Sequence, residues 1–343
     1  MVYKIKDVAK RAGVSSATVS RVLSGHPATP KETVKRVRRV MEEMNFQPNL
    51  VAKNLVSKTT GSICVVLPQI SEESFSNSFY IEMIRGIVKQ ARDSGYDVII
   101  SSGANETEEK EAVSRLLRGR QVDGAILLCS RKEDAVVEFL KTGGYPFVLV
   151  GRSNQYDDIL SVQTNNVTAA YDATRHLISM GHTRIGFISG PRELIVSADR
   201  LEGYRNAMRE SELRVCPDWV LEGQVLRDSG YRAMSAYMSL SERPTALVVV
   251  DDLISFGLLR SLKELGYRVP DDLALVSFNN IQLVELSSPP ISSIDMDMYF
   301  QGYTASQILI RSLKLPGNRS SEMHKQIVPH RLIVRESSVK ARI

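Results

Sequence analysis

The residues best suited to specific chemistry are the small and polar side chains of residues 15–23. Ser15 is a good N-cap, and the helix that follows it carries three apolar residues, Val19, Val22 and Leu23, on one side. The other side carries small and polar residues: Ser16, Ala17, Ser20 and Arg21. An arginine can donate two hydrogen bonds to O6 and N7 of a guanine, and the short side chains of Ser16, Ala17 and Thr18 allow a close approach. The pattern therefore predicts a helix that contacts base edges in a DNA major groove.

Two further helical patterns flank this segment and can position it. Before it, a single apolar face is formed by Ile5, Val8, Ala9 and Ala12, and Gly13 is typical of a helix C-terminus. After it, Thr29-Pro30-Lys31-Glu32 predicts an N-cap, a proline at the first helical position and a capping-box glutamate. Helices joined by a short glycine-containing turn pack at a steep angle, so we predict a helix-turn-helix unit.

The charge of the chain is unevenly distributed. Of the 343 residues, the first 60 contain twelve Lys or Arg and four Asp or Glu, which is a net charge of +8, and the rest carry −3. A basic segment on a mildly acidic body indicates a polyanionic partner, and the alternative is a solvated charged surface. Candidates for contacts with DNA phosphates are Lys4, Lys10, Lys31 and Arg36.

Three motifs follow one another in the basic segment: Ile5-Lys6-Asp7-Val8-Ala9-Lys10, Ala12-Gly13-Val14-Ser15 and Thr18-Val19-Ser20-Arg21-Val22-Leu23. Together they resemble the opening of the lactose/galactose-repressor (LacI/GalR) family. The next block, Phe46-Gln47-Pro48-Asn49-Leu50-Val51-Ala52-Lys53-Asn54-Leu55, resembles the hinge helix of that family. The resemblance extends over essentially the whole chain. It implies that DNA is contacted by Ile5, Ser15, Ser16, Ala17, Thr18, Ser20, Arg21, Asn49, Ala52 and Leu55.

The hinge segment is too short to be a stable helix by itself. Pro48 sets the first turn, and the helix can run only to about Val56, which is nine residues, whereas isolated helices become marginally stable at about 12–15. We expect it to form only with support from a partner copy and a DNA groove. Leu55 would then be a wedge in the minor groove, and the alternative is an ordinary linker with one leucine.

From residue 61 onward, short unbroken apolar runs alternate with helical patterns. The runs at 63–67, 98–100, 125–128 and 147–150, and then at 185–188, 246–250 and 273–278, predict strands that are covered on both faces. Helices are expected near 79–94, 107–119, 133–141, 167–180, 197–211, 229–240 and 253–265, with a last strand at 326–334. The alternation predicts two α/β subdomains with parallel sheets.

The resemblance implies the full architecture. A small all-α helix-turn-helix domain (1–47) and a hinge helix with linker (48–60) would precede an effector-binding and dimerisation domain at 61–343. That domain would be a two-lobed α/β type I periplasmic-binding-protein fold with three chain crossings. The N-lobe would comprise 61–162 and 294–325, and the C-lobe 163–293 and 326–343. Ligands of open α/β sheets bind beyond the carboxyl ends of the strands, which places the effector in the cleft between the lobes.

The resemblance also implies a set of effector-binding residues: Phe79, Tyr80, Arg200, Asp252 and Asn279. An arginine can donate paired hydrogen bonds to sugar hydroxyls, and an aromatic ring can stack on a pyranose face. The alternatives are a helix-surface arginine and core aromatics. Apolar residues at other cleft positions, Leu194, Val196 and Val225, favour a sugar over a charged ligand, and the long segment 68–79 resembles the maltose and maltodextrin repressors. Family members usually have aspartate where this chain has Asn279, which leaves the identity of the ligand open.

Other classes of protein lack their signals here. Nucleophile, metalloprotease and phosphate-loop motifs are absent, the three cysteines form no CxxC pair, and no run of 18 apolar residues exists. We expect no enzymatic activity, no metal, no cofactor and no contact with membranes. We expect instead a cytoplasmic, homodimeric repressor that binds double-stranded DNA at a palindromic operator under the control of a small sugar, such as maltose or a maltodextrin. The alternatives are a sugar receptor without DNA activity and a regulator that acts with a corepressor.

Overall fold

The computed structural model describes residues 3–23, 28–46, 59–68, 78–222, 227–315 and 325–339, with backbone only at 222 and 227–231. Contacts divide the chain into two compact units, Met1–Thr60 and Gly61–Ile343. In the described part of the chain, no helix is both long and apolar enough to cross a bilayer.

The first unit contains three helices around a small apolar core: α1 (Ile5–Ala12), α2 (Ser16–Leu23) and α3 (Lys31–Glu43). The helix α1 ends because Gly13 adopts a left-handed conformation at φ 62°, and its N–H bonds back to the last turn. The buried side chains are those that the periodicity of 3.6 selects: Val8, Ala9, Ala12, Val19, Val22, Val37, Val40 and Met44. The predicted helix-turn-helix arrangement is confirmed.

The predicted capping box of the third helix is wrong. Pro30 has the extended dihedrals φ −57° and ψ 135°, and it caps α3 without a side-chain hydrogen bond. The helix consequently begins at Lys31, one residue later than expected, which separates Thr29 from the first turn. The Thr29 hydroxyl is buried and bonds to none of the described residues.

The second unit is built on two six-stranded sheets, in agreement with the predicted fold class. The first sheet has the order β11-β5-β4-β3-β1-β2, and the second has the order β12-β10-β9-β8-β6-β7. Among the described strand pairs, only β10 and β12 are antiparallel. The strands are β1 (Ser62–Leu67), β2 (Asp97–Ser102), β3 (Ala125–Leu127), β4 (Phe147–Val150), β5 (Leu160–Gln163), β6 (Ile185–Ser189), β7 (Val220–Glu222), β8 (Ala246–Val249), β9 (Ala274–Phe278), β10 (Ser292–Asp295), β11 (Lys325–Ile327) and β12 (Arg331–Ile333).

Helices cover these sheets because the central strands are apolar on both faces, as in β4, where all four residues are buried. They are α4 (Ser78–Asp93), α5 (Glu106–Arg118), α6 (Ala135–Thr142), α7 (Asn166–Ser179), α8 (Ile195–Glu210), α9 (Arg227–Met238), α10 (Asp252–Glu264), α11 (Leu283–Leu286) and α12 (Met298–Lys314). The helices predicted between 79 and 265 each lie within a few residues of the observed bounds.

The chain crosses between the sheets three times, after Gln163, after Asp295 and between Ile327 and Arg331. The expected lobe boundaries need correction, because the change at 293/294 would fall inside β10 and the change at 325/326 inside β11. The single strand expected at 326–334 is two strands in different sheets. These strands are short and polar, so they lack the unbroken apolar run that identified the others.

Two glycines allow α4 and α12 to pack backbone against backbone. A Cβ at Gly86 would lie 2.0 Å from the carbonyl oxygen of Tyr299, and one at Gly302 would lie 2.1 Å from that of Met83. Contacts this close with backbone cannot be relieved by a rotamer change. The helix α12 is therefore fixed to α4 and to the first sheet.

We expect Gly302→Ala to lower the free energy of unfolding of the second unit by about 1–3 kcal/mol, because the added methyl group must displace a helix backbone. Urea unfolding followed by circular dichroism measures this change. Gln307→Ala is the matched control, since Gln307 is exposed on the same helix. Equal stability of the two variants would contradict the proposed backbone packing.

Candidate DNA-binding surface and effector cleft

The helix α2 presents the side chains that the sequence selected for DNA contact. Ser15, Ala17, Ser20 and Arg21 are exposed, while Ser16 and Thr18 are half-buried. Burial of Val19 and Val22 in the core fixes the rotation of the helix and directs this face to solvent. The Ser15 hydroxyl accepts the Thr18 N–H at 3.1 Å and lies 2.9 Å from its hydroxyl. Ser15 thus starts the helix that carries the other residues.

The remaining candidates of this group have different surroundings. Ile5 is half-buried and packs against the three-helix core, so its side chain has a structural contact in addition to any contact with DNA. Asn49, Ala52 and Leu55, with the rest of the expected hinge helix, lie outside the described residues.

The described part of the first unit has a basic, exposed surface. Ten exposed cations lie on it: Lys4, Lys6, Lys10, Arg11, Arg21, Lys31, Lys35, Arg36, Arg38 and Arg39. Ion pairs with two glutamates involve Arg11, Lys35 and Arg39 at 3.3–3.8 Å, all of them exposed to solvent. Such pairs are weak, and the positive charge of the surface remains available to phosphates.

In the second unit, a cavity of about 120 Å³ lies between the two sheets, beyond the carboxyl ends of their strands. The first-sheet side contributes residues of α4 and of the loops after β3 and β4, and the other side contributes α7 and α8. Its walls are formed by Phe79, Tyr80, Met83, Leu128, Cys129, Ser130, Val150, Gly151, Arg152, Gln163, Thr164, Asn166, Leu194, Ile195, Val196, Asp199, Arg200, Met296 and Gln301. Five of the expected cleft residues are therefore in the wall: Phe79, Tyr80, Leu194, Val196 and Arg200.

Arg200 is a buried cation in a fixed orientation, and it is not a helix-surface residue. Its side chain is 5% exposed, donates to the Val250 carbonyl at 2.6 Å and to Asn166 Oδ1 at 3.0 Å, and lies 4.2 Å above the ring of Phe278. Burial lowers the pKa of Arg200 to about 10, an effect opposed by the carboxylates of Asp251, Asp252 and Asp199. The guanidinium is consequently charged at neutral pH and is held ready to donate hydrogen bonds.

Phe79 and Tyr80 contribute an aromatic wall on the first-sheet side of the cavity. Their rings are 5.0 Å apart and nearly perpendicular, and both residues are half-buried. Burial and nearby acidic groups raise the pKa of Tyr80, so its hydroxyl stays neutral and can donate or accept. An apolar ring surface with a neutral hydroxyl suits the mixed apolar and polar faces of a sugar.

Asp252, one of the expected effector-binding residues, is buried among protein partners. Asp252 is 0% exposed, its Oδ1 accepts from the Ser293 hydroxyl at 2.9 Å, and its Oδ2 accepts from the Ile281 N–H at 2.9 Å. Burial raises the pKa of this carboxyl to about 7. Its role is to hold the loop after β9 against α10, and it is absent from the cavity wall.

The neighbouring Asp251 is likewise absent from the cavity wall. It caps α10 by accepting from the Leu253 N–H at 2.7 Å, and burial raises its pKa to about 6, an effect opposed by Arg200. Asn279 is 4% exposed and donates from Nδ2 to Asp251 Oδ2 at 2.9 Å, so its contact with a ligand would be indirect.

Protein groups from the two lobes also meet directly at the mouth of the cleft. Arg152, after β4, donates to both carboxylate oxygens of Asp199 in α8 at 2.9 and 2.5 Å. Backbone bonds join Lys132 to Glu193 at 2.9 Å and Ile195 to the Ser130 carbonyl at 3.1 Å. These bonds join the two lobes directly across the cleft. These contacts pair residues far apart in the chain, so no local pattern of residues predicts them.

The cleft has no chemistry typical of a metal centre or a reactive thiol. Among the described residues, no three His, Cys, Asp or Glu side chains come close enough to bind a metal ion. Burial raises the pKa of the Cys129 thiol in the cavity wall to about 12, so the thiol is neutral.

Comparisons with known proteins define the class. Residues 4–49 match the family described as bacterial regulatory proteins, lacI family, and residues 174–338 match the periplasmic binding protein-like domain. The chain is 35% identical over 336 residues to catabolite control protein A of Priestia megaterium, covering 97% of this chain and 98% of that protein. The chain therefore belongs to the LacI family of DNA-binding transcriptional regulators.

Solved structures agree with this assignment. The complex of the transcriptional regulator CelR with cellobiose is 27% identical and has a TM-score of 0.76, covering 98% of this chain and 99% of that one. The lac repressor dimer bound to operator and the anti-inducer ONPF is 24% identical with a TM-score of 0.85, covering 99% and 100%, and it shows the likeness in fold.

The buried carboxyl of Asp252 predicts a pH dependence of stability. Its pKa is raised to about 7 in the folded protein, whereas an unfolded aspartate titrates near 3.9. Between these values the folded state binds more protons than the unfolded state, so the free energy of unfolding falls as the pH rises.

We expect Asp252→Asn to reduce the loss of unfolding free energy between about pH 5 and about pH 8 by at least about 1 kcal/mol. Urea unfolding at the two pH values measures it, with the exposed Asp218→Asn as the control. Asp251 titrates in the same range and leaves a residual slope. Identical slopes in Asp252→Asn and the wild type would rule out the raised pKa.

Proposed function

We propose that this protein is a homodimeric repressor that binds a palindromic operator in double-stranded DNA and releases it when a small sugar, maltose or a maltodextrin, binds the cleft. The observation that carries the proposal is the buried Arg200, oriented at a cavity between two lobes, in a chain that also has an exposed basic helix-turn-helix surface. The family supports a regulator with a sugar effector; the identity of the sugar is our inference.

The DNA-binding part rests on α2 and its surroundings. Short side chains at Ser16, Ala17 and Ser20 allow the backbone of α2 to approach the DNA closely, and Arg21 can donate two hydrogen bonds to a guanine. One such unit contacts only a few base pairs, so specificity requires two copies. Two-fold symmetry of the protein then demands two-fold symmetry of the operator.

The sugar assignment rests on how charges are arranged in the cleft. Arg152 and Asp199 neutralise each other, and Arg200 is surrounded by carboxylates, so the site has no excess charge to attract an ion. The remaining walls are apolar and aromatic with a few amides and hydroxyls. A neutral polyhydroxyl ligand fits this combination, and the relative that binds cellobiose supports a disaccharide.

We expect Arg21→Ala to weaken operator binding by about 1–3 kcal/mol per half-site and to relax base preference at one position, because a bidentate base contact is lost. Fluorescence anisotropy at one salt concentration, with operator variants, measures both effects. Lys35→Ala is the control: its exposed ion pair with Glu32 predicts a small effect that is equal on all sequences. Unchanged affinity and preference in Arg21→Ala would contradict the docking.

We expect maltose or maltotriose to weaken operator binding by the wild type roughly 5–150-fold, which is the usual range of allosteric coupling. Arg200→Ala should abolish this response, because it removes the oriented donor from the cavity. The exposed Arg260→Ala on α10 should respond as the wild type does. A full response in Arg200→Ala would refute the cleft assignment, and tighter operator binding with sugar would identify a corepressor.

A further inference from the structure

The three chain crossings between the lobes are tied to one another by hydrogen bonds. The first crossing begins at Gln163 and Thr164, the second contains Met296, and the third contains Val328. Val328 donates its N–H to the Gln163 carbonyl at 2.9 Å, which joins the first and third crossings. One side chain, Gln301 in α12, joins the first and second.

Gln301 donates from Nε2 to the Met296 carbonyl at 2.7 Å and to the Thr164 hydroxyl at 3.1 Å. A carbonyl oxygen only accepts, so the chemistry of the Met296 contact fixes which end of the amide points there. Gln301 is 5% exposed and Thr164 is 4% exposed, so both contacts are shielded from water. The amide oxygen Oε1 receives no bond from the residues that the structure describes, and Gln301 lines the cavity.

The same bond network continues to Arg200. Asn166 donates from Nδ2 to the Thr164 carbonyl at 3.3 Å, and its Oδ1 accepts from Arg200 Nε at 3.0 Å. The four residues that these hydrogen bonds connect, Gln301, Thr164, Asn166 and Arg200, all line the cavity. A ligand that moves Arg200 therefore acts on a continuous series of hydrogen bonds that ends at the crossings.

The anchoring of α12 determines which lobe Gln301 follows. Gly302, which follows Gln301 in α12, packs against the Met83 backbone in α4, so α12 is part of the first-sheet lobe. Arg200 lies in α8 of the other lobe. Gln301 and Arg200 are thus the two ends of a series that spans the hinge between the lobes.

We propose that Gln301 is a positioning residue that clamps the lobe hinge and couples effector binding in the cleft to the lobe arrangement, and hence to operator affinity. The coupling part rests on the function proposed above; the clamp does not. Oε1 of Gln301 also provides an acceptor for a ligand hydroxyl, so the residue contacts the effector and the hinge with the two ends of one amide.

The test uses the full-length protein and two near-isosteric variants. Gln301→Leu removes both ends of the amide, and Thr164→Val removes only the hydroxyl that receives it. The matched control is Gln307→Leu, because Gln307 is exposed on the same helix. Thermal unfolding of each variant establishes that it is folded.

The first readout is the ratio of operator affinities without and with maltose, alongside maltose affinity by calorimetry. We expect Gln301→Leu to reduce that ratio at least about 5-fold, while maltose affinity falls by no more than about 10-fold, as for one lost hydrogen bond. Thr164→Val should also reduce this ratio of operator affinities. The ratio in the double variant should be no lower than in Gln301→Leu alone, because the two residues share one hydrogen bond. A wild-type ratio in Gln301→Leu would overturn the coupling role.

The second readout needs no sugar. Hydrogen exchange of peptides that cover 163–166, 295–301 and 328 should be faster in Gln301→Leu and Thr164→Val than in the wild type and Gln307→Leu. If the operator affinity of the wild type responds to no sugar, the proposed effector is wrong. Hydrogen exchange alone then tests whether Gln301 stabilises the lobe hinge. Unchanged exchange in both variants would overturn the clamp.

Discussion

The buried guanidinium of Arg200 is the interaction on which the second unit depends most. A cation at 5% exposure is unstable unless its donors and its charge are satisfied, and here a carbonyl, an amide oxygen, an aromatic face and nearby carboxylates do so. These partners come from α7, from the chain after β8 and from β9, so the cation fixes the carboxyl edge of the second sheet. The same constraint leaves one side of Arg200 at the cavity.

Few covalent and polar links join the two lobes. Three short crossings connect the sheets, and direct contacts at the mouth of the cleft, such as Arg152 with Asp199, join the lobes across it. These direct contacts are few, and the ion pair joins a half-exposed Arg152 to a buried Asp199, whereas the glycine-mediated packing of α12 on α4 holds the first-sheet lobe together over the length of two helices. The proposed function requires a ligand in the cleft to change the angle between the lobes.

The sequence predicted the parts of the fold that local patterns determine. The apolar periodicity of α1 and α2 and the unbroken runs of β1, β4 and β6 are local properties, and the structure agrees with them. The short polar strand β10 depends on its neighbours in the sheet, so no local pattern revealed it, and β11 and β12 were predicted as one continuous strand. The start of α3 was also wrong, because the backbone of Pro30 overrode a capping signal.

The cleft shows the same division. Arg200, Phe79 and Tyr80 line the cavity, whereas the carboxylate of Asp252 is engaged by the Ser293 hydroxyl and the Ile281 N–H. Such contacts join residues far apart in sequence.

The proposed function requires the cleft and the operator-binding surface to be thermodynamically coupled. Linkage requires the effect to be reciprocal, so operator DNA must change sugar affinity by the same factor by which sugar changes operator affinity. The most direct measurement is a calorimetric titration of maltotriose into the free protein and into the protein saturated with operator. We predict weaker sugar binding in the operator complex, and equal affinities in the two titrations would contradict the account.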